Sequence, residues 1–282
     1  MPERTYIQDQ QLDEERALYG LRHATLSNVT FAGPADGESA LKECVDIAIE
    51  DSLFELRYPM WHIDGLSVAG STLTDTCRAA LWYDRDVRIV DSRLLGIKAL
   101  RACTNVTLDH STISSPEFGW KCERVSLSNC AIEAEYAFLD SRDLRLVDTN
   151  LTGKYSFQYV ENLVIEGGVF DTKDAFWHAR NVTVRNAVLK GEYLGWYSEG
   201  LTLEHCRIEG TQPLVNCRNL TLVDCEMANC DLAFEGSDVQ AMVRGHVDSI
   251  RDPRSGRIEV ESLGQMVHDT VAGCGAQVIV RN

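Results

Sequence analysis

Four side chains in this sequence could move protons together: Lys173, Asp174, His178 and Glu192. An imidazole titrates near neutrality, so His178 beside carboxylates could serve as acid or base. A pair of carboxyl groups such as Asp174 and Glu192 could cleave a glycosidic bond. Rings stand close to them in the repeat pattern: Trp120, Trp177, Trp196, Tyr155, Tyr159, Tyr193 and Tyr197. Aromatic plates hold the C–H faces of sugars, and polar groups beside them fix the hydroxyls. The chemistry such a set would support is binding of a short neutral or mixed oligosaccharide, or its cleavage by a hydrolase or lyase. Two plainer readings compete. Charges at the corners of a repeat protein are by default solvated, and an aromatic column commonly packs between repeats or against a second subunit. No phosphate-cradling loop, nucleophile elbow or metal-spaced His/Glu motif accompanies the set, so neither metal nor cofactor is expected.

The elements that must position these residues follow from a repeat. An apolar residue, a second two places on and a third five beyond recur with first members Val87, Val106, Val125, Leu144, Leu163, Val182, Leu201, Leu220 and Val239, each 19 after the last. Earlier starts at Ala24, Ile47 and Leu66 are followed by steps of 23, 19 and 21 residues. Offset four from each start is Asn28, Asp51, Gly70, Asp91, His110, Asn129, Asp148, Gly167, Asn186, His205 and Asp224. All are types that tolerate the left-handed backbone region. The residue before each restart is similar, from Gly65, Asp86 and Asn105 to Asn219 and Asp238, with Arg124 the exception. Period-two apolar pairs make strands with inward side chains, and single left-handed residues bend the chain between them. Stacked in register, such turns form an all-β, parallel β-helix, a single-stranded solenoid that is right-handed by the strong preference of parallel connections. About ten rungs of 19 residues are expected between terminal caps.

All five tryptophans share offset fourteen of this repeat: Trp61, Trp82, Trp120, Trp177 and Trp196, allowing two inserted residues near Cys77. Arg101 and Gln158 interrupt the column, and neither suits an apolar interior, so the column is expected to face outward. Offset fifteen aligns Asp140, Tyr159, His178 and Tyr197 in a neighbouring row.

The expected organisation is one structural domain: 1–46 as N-terminal cap and first rung, 47–238 as the β-helix and 239–282 as a hairpin-like cap. Residues 35–43 (ADGESALKE) read as a loop with a short helix or cap. The formal charge of −16 argues against nucleic acid and acidic membranes as partners. The charged N-terminus and the lack of a long apolar run predict neither a leader nor a membrane span, hence a cytoplasmic protein. The cysteines at offsets five and sixteen, such as Cys206, Cys225, Cys103 and Cys122, read as small buried thiols. A metal cluster of His205, Cys206, Cys217, Cys225 and Cys230 is set aside because the repeat already explains three of the cysteines. The sequons at Asn105, Asn181 and Asn219 are corner residues followed by strands, so no glycosylation is read from them.

The coil resembles the pectin-lyase-like right-handed β-helix superfamily. Longer words carry a narrower resemblance: GESALKE (37–43), KYSFQYVENL (154–163), TKDAFWHARNVTV (172–184), GEYLGWYSEGLTL (191–203), GTQPL (210–214), DLAFEGS (231–237) and SIRDPRSG (249–256). They are similar to an uncharacterised bacterial family known as domain of unknown function 3737. That resemblance implies a cytoplasmic bacterial β-helix of this length and no particular reaction. The base and calcium-holding carboxylates of polysaccharide lyases, and the aspartate set of polygalacturonases, find no residue-by-residue counterpart. No adjacent Asp-Asp pair occurs in the chain. The functional expectation is therefore an oligosaccharide-binding or -processing protein, with a non-catalytic structural or homo-oligomeric β-helix as the alternative.

Overall fold

A computed structural model describes residues 3–33 and 38–281. They divide into two compact units, Met1–Arg142 and Asp143–Asn282. Both are all-β parallel solenoids, and the described residues contain no α-helix. In the first unit one face stacks the strands Thr5–Gln8, Arg22–Ser27, Val45–Glu50, Asp64–Ala69, Arg85–Val90, Thr104–Asp109 and Glu123–Ser128. Their registers place Ala24, Ile47, Leu66, Val87, Val106 and Val125 in one column. In the second unit one face runs through Glu161–Glu166, Arg180–Arg185 and Glu199–Glu204 to Leu220–Ala228. A second, shorter face follows each corner, for example Arg93–Leu94 on Thr112–Ser114 and Val169–Lys173 on Val188–Lys190.

The corners are where the sequence places them. Every residue at offset four, from Asn28 to Asp224, has φ between 44° and 74°. The pre-strand corner is also left-handed, and Arg124 joins it at φ 55° despite its side chain. Asp238, the first residue of the long strand Asp238–Arg251, does not. Side chains lock these corners from turn to turn. Asn162 donates to Asp143 and Asn181 donates to Asn162. Inside, a serine column does the same work: the amides of Val29, Ser52, Ser71 and Ser92 donate to the hydroxyls of Ser52, Ser71, Ser92 and Ser111 at 3.0–3.2 Å. Each turn thus satisfies a buried N–H that would otherwise be costly. Phenylalanines fill the remainder, with Phe31 on Phe54 at 4.6 Å and Phe157 on Phe176 at 5.3 Å.

The coil has about 14 turns rather than ten. The additional turns lie at both ends: the first keeps the 19-residue step, from Thr5 to Ala24, but opens on a polar residue, and the last ones leave the period. Thr5–Gln8 pairs in parallel with Ala24–Ser27. Past Leu220 the two faces merge into long strands, and the step shrinks to 17 residues (Val239 to Gly256) and then grows to 20 (Arg257 to Gln277). The expected C-terminal hairpin is corrected by the same pairings. Asp238–Arg251 and Ser255–Val267 run parallel, because the Arg251–Ser255 corner continues the winding instead of reversing it. The short helix expected near residue 40 is also absent: Glu38–Glu43 form turns, and residues 35–37 lie outside the described residues.

Nine of the ten cysteines are buried, and Cys274 is exposed. Burial pushes the thiols of Cys77 and Cys230 up to about 12, so they stay protonated at neutral pH. Among the described residues no group of His, Cys, Asp and Glu is arranged to hold a metal ion. No helix is long and apolar enough to cross a membrane.

One buried carboxylate organises the last corner. Asp252 accepts the amides of Asp269 and Thr270, the Thr270 hydroxyl and a contact from His268 Nδ1, all within 2.8–3.1 Å. The Thr270 amide first, and then the His268 ring, hold its carboxyl at about 2 against an ordinary 3.8. A depressed carboxyl stabilises above its unfolded value and loses that contribution as pH falls through its folded one. Amide-exchange protection at Asp269 and Thr270 is therefore expected to vanish between pH 3.8 and about 2. Asp252→Ala should remove it at neutral pH as well. Protection unchanged in that variant would show that the segment is held by something else.

Candidate functional site

The tryptophan column is half-buried in both units rather than fully exposed. In the first unit, in-register pairing of Trp61 with Trp82, Trp82 with Arg101 and Arg101 with Trp120 forces the side chains onto one another. The Trp61 and Trp82 rings stack at 4.8 Å and 5°. Lys42 Nζ covers Trp61 at 4.0 Å, and the Arg101 guanidinium lies 5.1 Å from Trp82 and 4.9 Å from Trp120. Cations on indole faces are attracted by the ring quadrupole. The result is a cation–π spine in which both faces of Trp61 and Trp82 are occupied. Their N–H edges are tied down too. Trp61, Trp82 and Trp120 donate to the carbonyls of Ala79, Lys98 and Tyr136 at 2.8, 3.1 and 2.6 Å.

A cleft of about 240 Å³ opens beside this spine. Its wall is Tyr58, the edges of Trp61 and Trp82, Ala79 and Ile97, and its polar lining is Arg78 and Lys98. It sits where the repeat lengthens to 21 residues. The extra residues form a 3-10 turn, Asp75–Cys77, and leave Arg78 at φ 55°, ψ −76°. This backbone region is sparsely populated, at a cost on the order of 1–3 kcal/mol for a non-glycine residue. It is held by the Arg78 amide on Asp75 O and by the Lys98 amide on Arg78 O. Residue types alone do not mark this cleft; its signal in the sequence is the 21-residue step, since insertions in a repeat array collect on one face.

In the second unit the sequence-selected residues take these places. Tyr159, His178 and Tyr197 form an exposed three-ring stack, with centroids 5.2 and 5.1 Å apart and planes within 11°. All three are left-handed, at φ 53–58°. Their amides are paired to the next turn: Tyr159 N–H donates to Trp177 O and His178 N–H to Trp196 O. Trp196 donates its indole N–H to Gln212 O and meets Tyr193 edge-on at 5.1 Å. Trp177 lies parallel to His178 at 5.9 Å, and its buried indole nitrogen has no partner among the described residues. Tyr155 is half-buried beside Lys154. Trp120 belongs to the first unit and to its spine.

The four proton-moving candidates are brought near one another but into separate partnerships. Lys173 Nζ pairs with Glu192 at 2.9 Å and lies 5.0 Å from the Tyr193 ring. The Glu192 carboxylate raises the Lys173 ammonium above its ordinary value, which keeps it charged and unsuited to act as a base. Partial burial raises the Asp174 carboxyl; Lys173 opposes that rise and Glu192 adds to it. Both faces of the His178 ring are taken by Tyr159 and Tyr197, leaving only its edge to solvent. The arrangement offers binding groups, with no imidazole–carboxylate pair assembled.

Fold and site together define a parallel β-helix protein with an aromatic, cation-bearing turn face. The chain belongs to the family of proteins of unknown function DUF3737, which matches residues 5–280. No curated protein matches it at a significant level. Its fold is similar to that of the surface adhesin PfbA of Streptococcus pneumoniae, at 11% identity, TM-score 0.46, over 93% of this chain and 81% of that one. It is also similar to the A-module of the mannuronan C-5 epimerase AlgE6 of Azotobacter vinelandii, at 11% identity, TM-score 0.39, over 98% and 90%. A third similarity is to the catalytic domain of a GH87 alpha-1,3-glucanase, at 10% identity, TM-score 0.27, over 98% and 64%. At such identities the likeness is one of fold alone.

Proposed function

We propose that this protein is a non-catalytic carbohydrate-binding β-helix whose recognition site is the cleft beside Trp61 and Trp82. The observation that carries the reading is that the cleft sits at the 21-residue step, where an inserted turn interrupts the regular repeat beside the aromatic column. The repeat accounts for the columns themselves; it does not account for an inserted turn that opens an apolar recess with two polar residues at its rim. The volume lies below the roughly 300–1,000 Å³ of drug-sized pockets, which suits one sugar ring with the rest of a glycan running over the surface. Contact would be through indole edges and Tyr58, since the indole faces are covered.

The test is a thermal-shift series of the purified protein against mono- and oligosaccharides, with Ile97→Trp as a variant that fills the cleft from its exposed side without adding charge. A concentration-dependent rise in melting temperature for one sugar class, absent in Ile97→Trp, is the expected result. A rise that persists in the variant would move binding elsewhere. A second reading is favoured by the exposed Tyr159–His178–Tyr197 stack, namely a protein-interaction or self-association surface. It becomes the better account if no sugar shifts the melting temperature and the native mass is that of a dimer.

A further inference from the structure

We infer that the Trp61–Trp82 cleft selects an anionic sugar residue, one bearing a carboxylate or a sulfate; this rests on the carbohydrate reading above. The charged residues that line the cleft are Arg78 and Lys98, and no acidic residue lines it. That is against the run of a chain with 43 acidic and 27 basic residues. Two further cations, Lys42 and Arg101, lie on the outer faces of the same indole pair.

Arg78 carries the argument furthest. It is exposed at the rim, and among the described residues its guanidinium has no ion pair or hydrogen bond. Lys98, by contrast, shares Glu117 with Arg101 at 3.4 and 4.0 Å. Arg78 also occupies the strained backbone position of the inserted turn, where glycine would be free of strain. A large cation kept at such a position, without an internal partner, is accounted for by a partner from outside. The guanidinium fork matches the two oxygens of a carboxylate or sulfate, while the ring of the sugar lies against Tyr58 and the indole edges. The overall charge of −16 repels long polyanions, so the favoured ligand is a short acidic glycan or a terminal acidic residue.

The experiment is an NMR titration that follows the indole N–H signals of Trp61 and Trp82. The probes are methyl glucuronide, glucose 6-sulfate and methyl glucoside, at low and high salt, on the intact chain and on Arg78→Gly. Glycine relieves the backbone strain, so this variant folds at least as well, which a melting curve verifies. The expected result is saturable shifts with one or both acids, weakened at least tenfold by high salt and by Arg78→Gly, with the neutral glucoside at least tenfold weaker. A response to glucuronide alone assigns a carboxylate, and a response to the sulfate alone assigns a sulfate. A neutral glucoside that binds as well as the acids overturns the anionic assignment and leaves the carbohydrate reading standing. Acid binding unchanged in Arg78→Gly overturns it too. Silence from all three probes overturns both.

Discussion

Asparagine at position 84 is expected to raise the stability of the first unit at neutral pH and to flatten its decline towards alkaline pH. Asp84 is fully buried. One carboxyl oxygen accepts the Ile63 amide at 2.7 Å, and the other lies 4.0 Å from the Cys103 thiol. Elsewhere in this interior column a neutral group does the same job: the Ser141 hydroxyl accepts the Cys122 amide at 3.0 Å. Burial first, and then the neighbouring Cys103, push the Asp84 carboxyl well above its ordinary 3.8, while the backbone hydrogen bond from Ile63 opposes this. The sign follows from linkage. A group whose folded value is raised contributes its full stability below its unfolded value and loses it as pH rises through the folded one. Asparagine keeps an acceptor for Ile63 and has nothing to ionise, so the loss disappears. Alanine instead orphans the Ile63 amide, at a cost of about 1–3 kcal/mol. Urea unfolding across pH checks both. An Asp84→Asn curve parallel to the wild type, with no gain on the alkaline side, would refute the argument.

Most of the winding was legible because it depends on residue types that announce themselves. Asn, Asp and Gly at offset four mark left-handed corners, and the φ values agree. A third set of left-handed residues, at offset fifteen, was only partly legible. His62, Asp140, His178 and Asn216 are of types enriched in such a backbone, but Tyr83, Ala102, Lys121, Tyr159 and Tyr197, at φ between 52° and 64°, are not. They are held by amide–carbonyl bonds to the next turn, which exist only once the register is set. The C-terminal turns escaped for a related reason, since merged strands tolerate steps of 17 and 20 residues that no fixed period contains, whereas the first turn keeps the period and escaped because Thr5 is polar.

The site divides in the same way. The tryptophan column could be read from spacing, and so could its interruption by Arg101. Spacing could not say that Arg101 would slot between Trp82 and Trp120, or that Trp61 and Trp82 would cover each other. Those facts turn an expected stacking platform into a spine with an edge-lined cleft. Likewise Lys173, Asp174, His178 and Glu192 do lie on neighbouring turns, but side-chain pairing decides their chemistry. Lys173 takes Glu192, and two tyrosines take the imidazole.

Trp82→Ala is expected to cost about 3 kcal/mol or more of stability, at the lower end of the range for buried aromatic truncations because the ring is half-buried. Three losses combine. The stack on Trp61 contributes about 0.5–1.5 kcal/mol beyond its area. The Arg101 contact contributes about 0.5–2 kcal/mol. The Lys98 carbonyl loses its donor at 3.1 Å. Trp82→Phe keeps a stacking ring and loses the indole N–H, so its cost should be nearer the ~1 kcal/mol of a single hydrogen bond. Denaturant unfolding of the two variants separates the contributions. If Trp82→Ala cost less than Trp82→Phe, or almost nothing, the indoles would not act as a spine and their faces would be open to a ligand after all. The expected size of the loss also bears on how recognition can be probed. Removing a tryptophan disturbs the turns that shape the cleft, so lost binding in such a variant would not distinguish contact from collapse. Arg78 carries no packing of this kind, which makes it the position where affinity and stability can move in opposite directions.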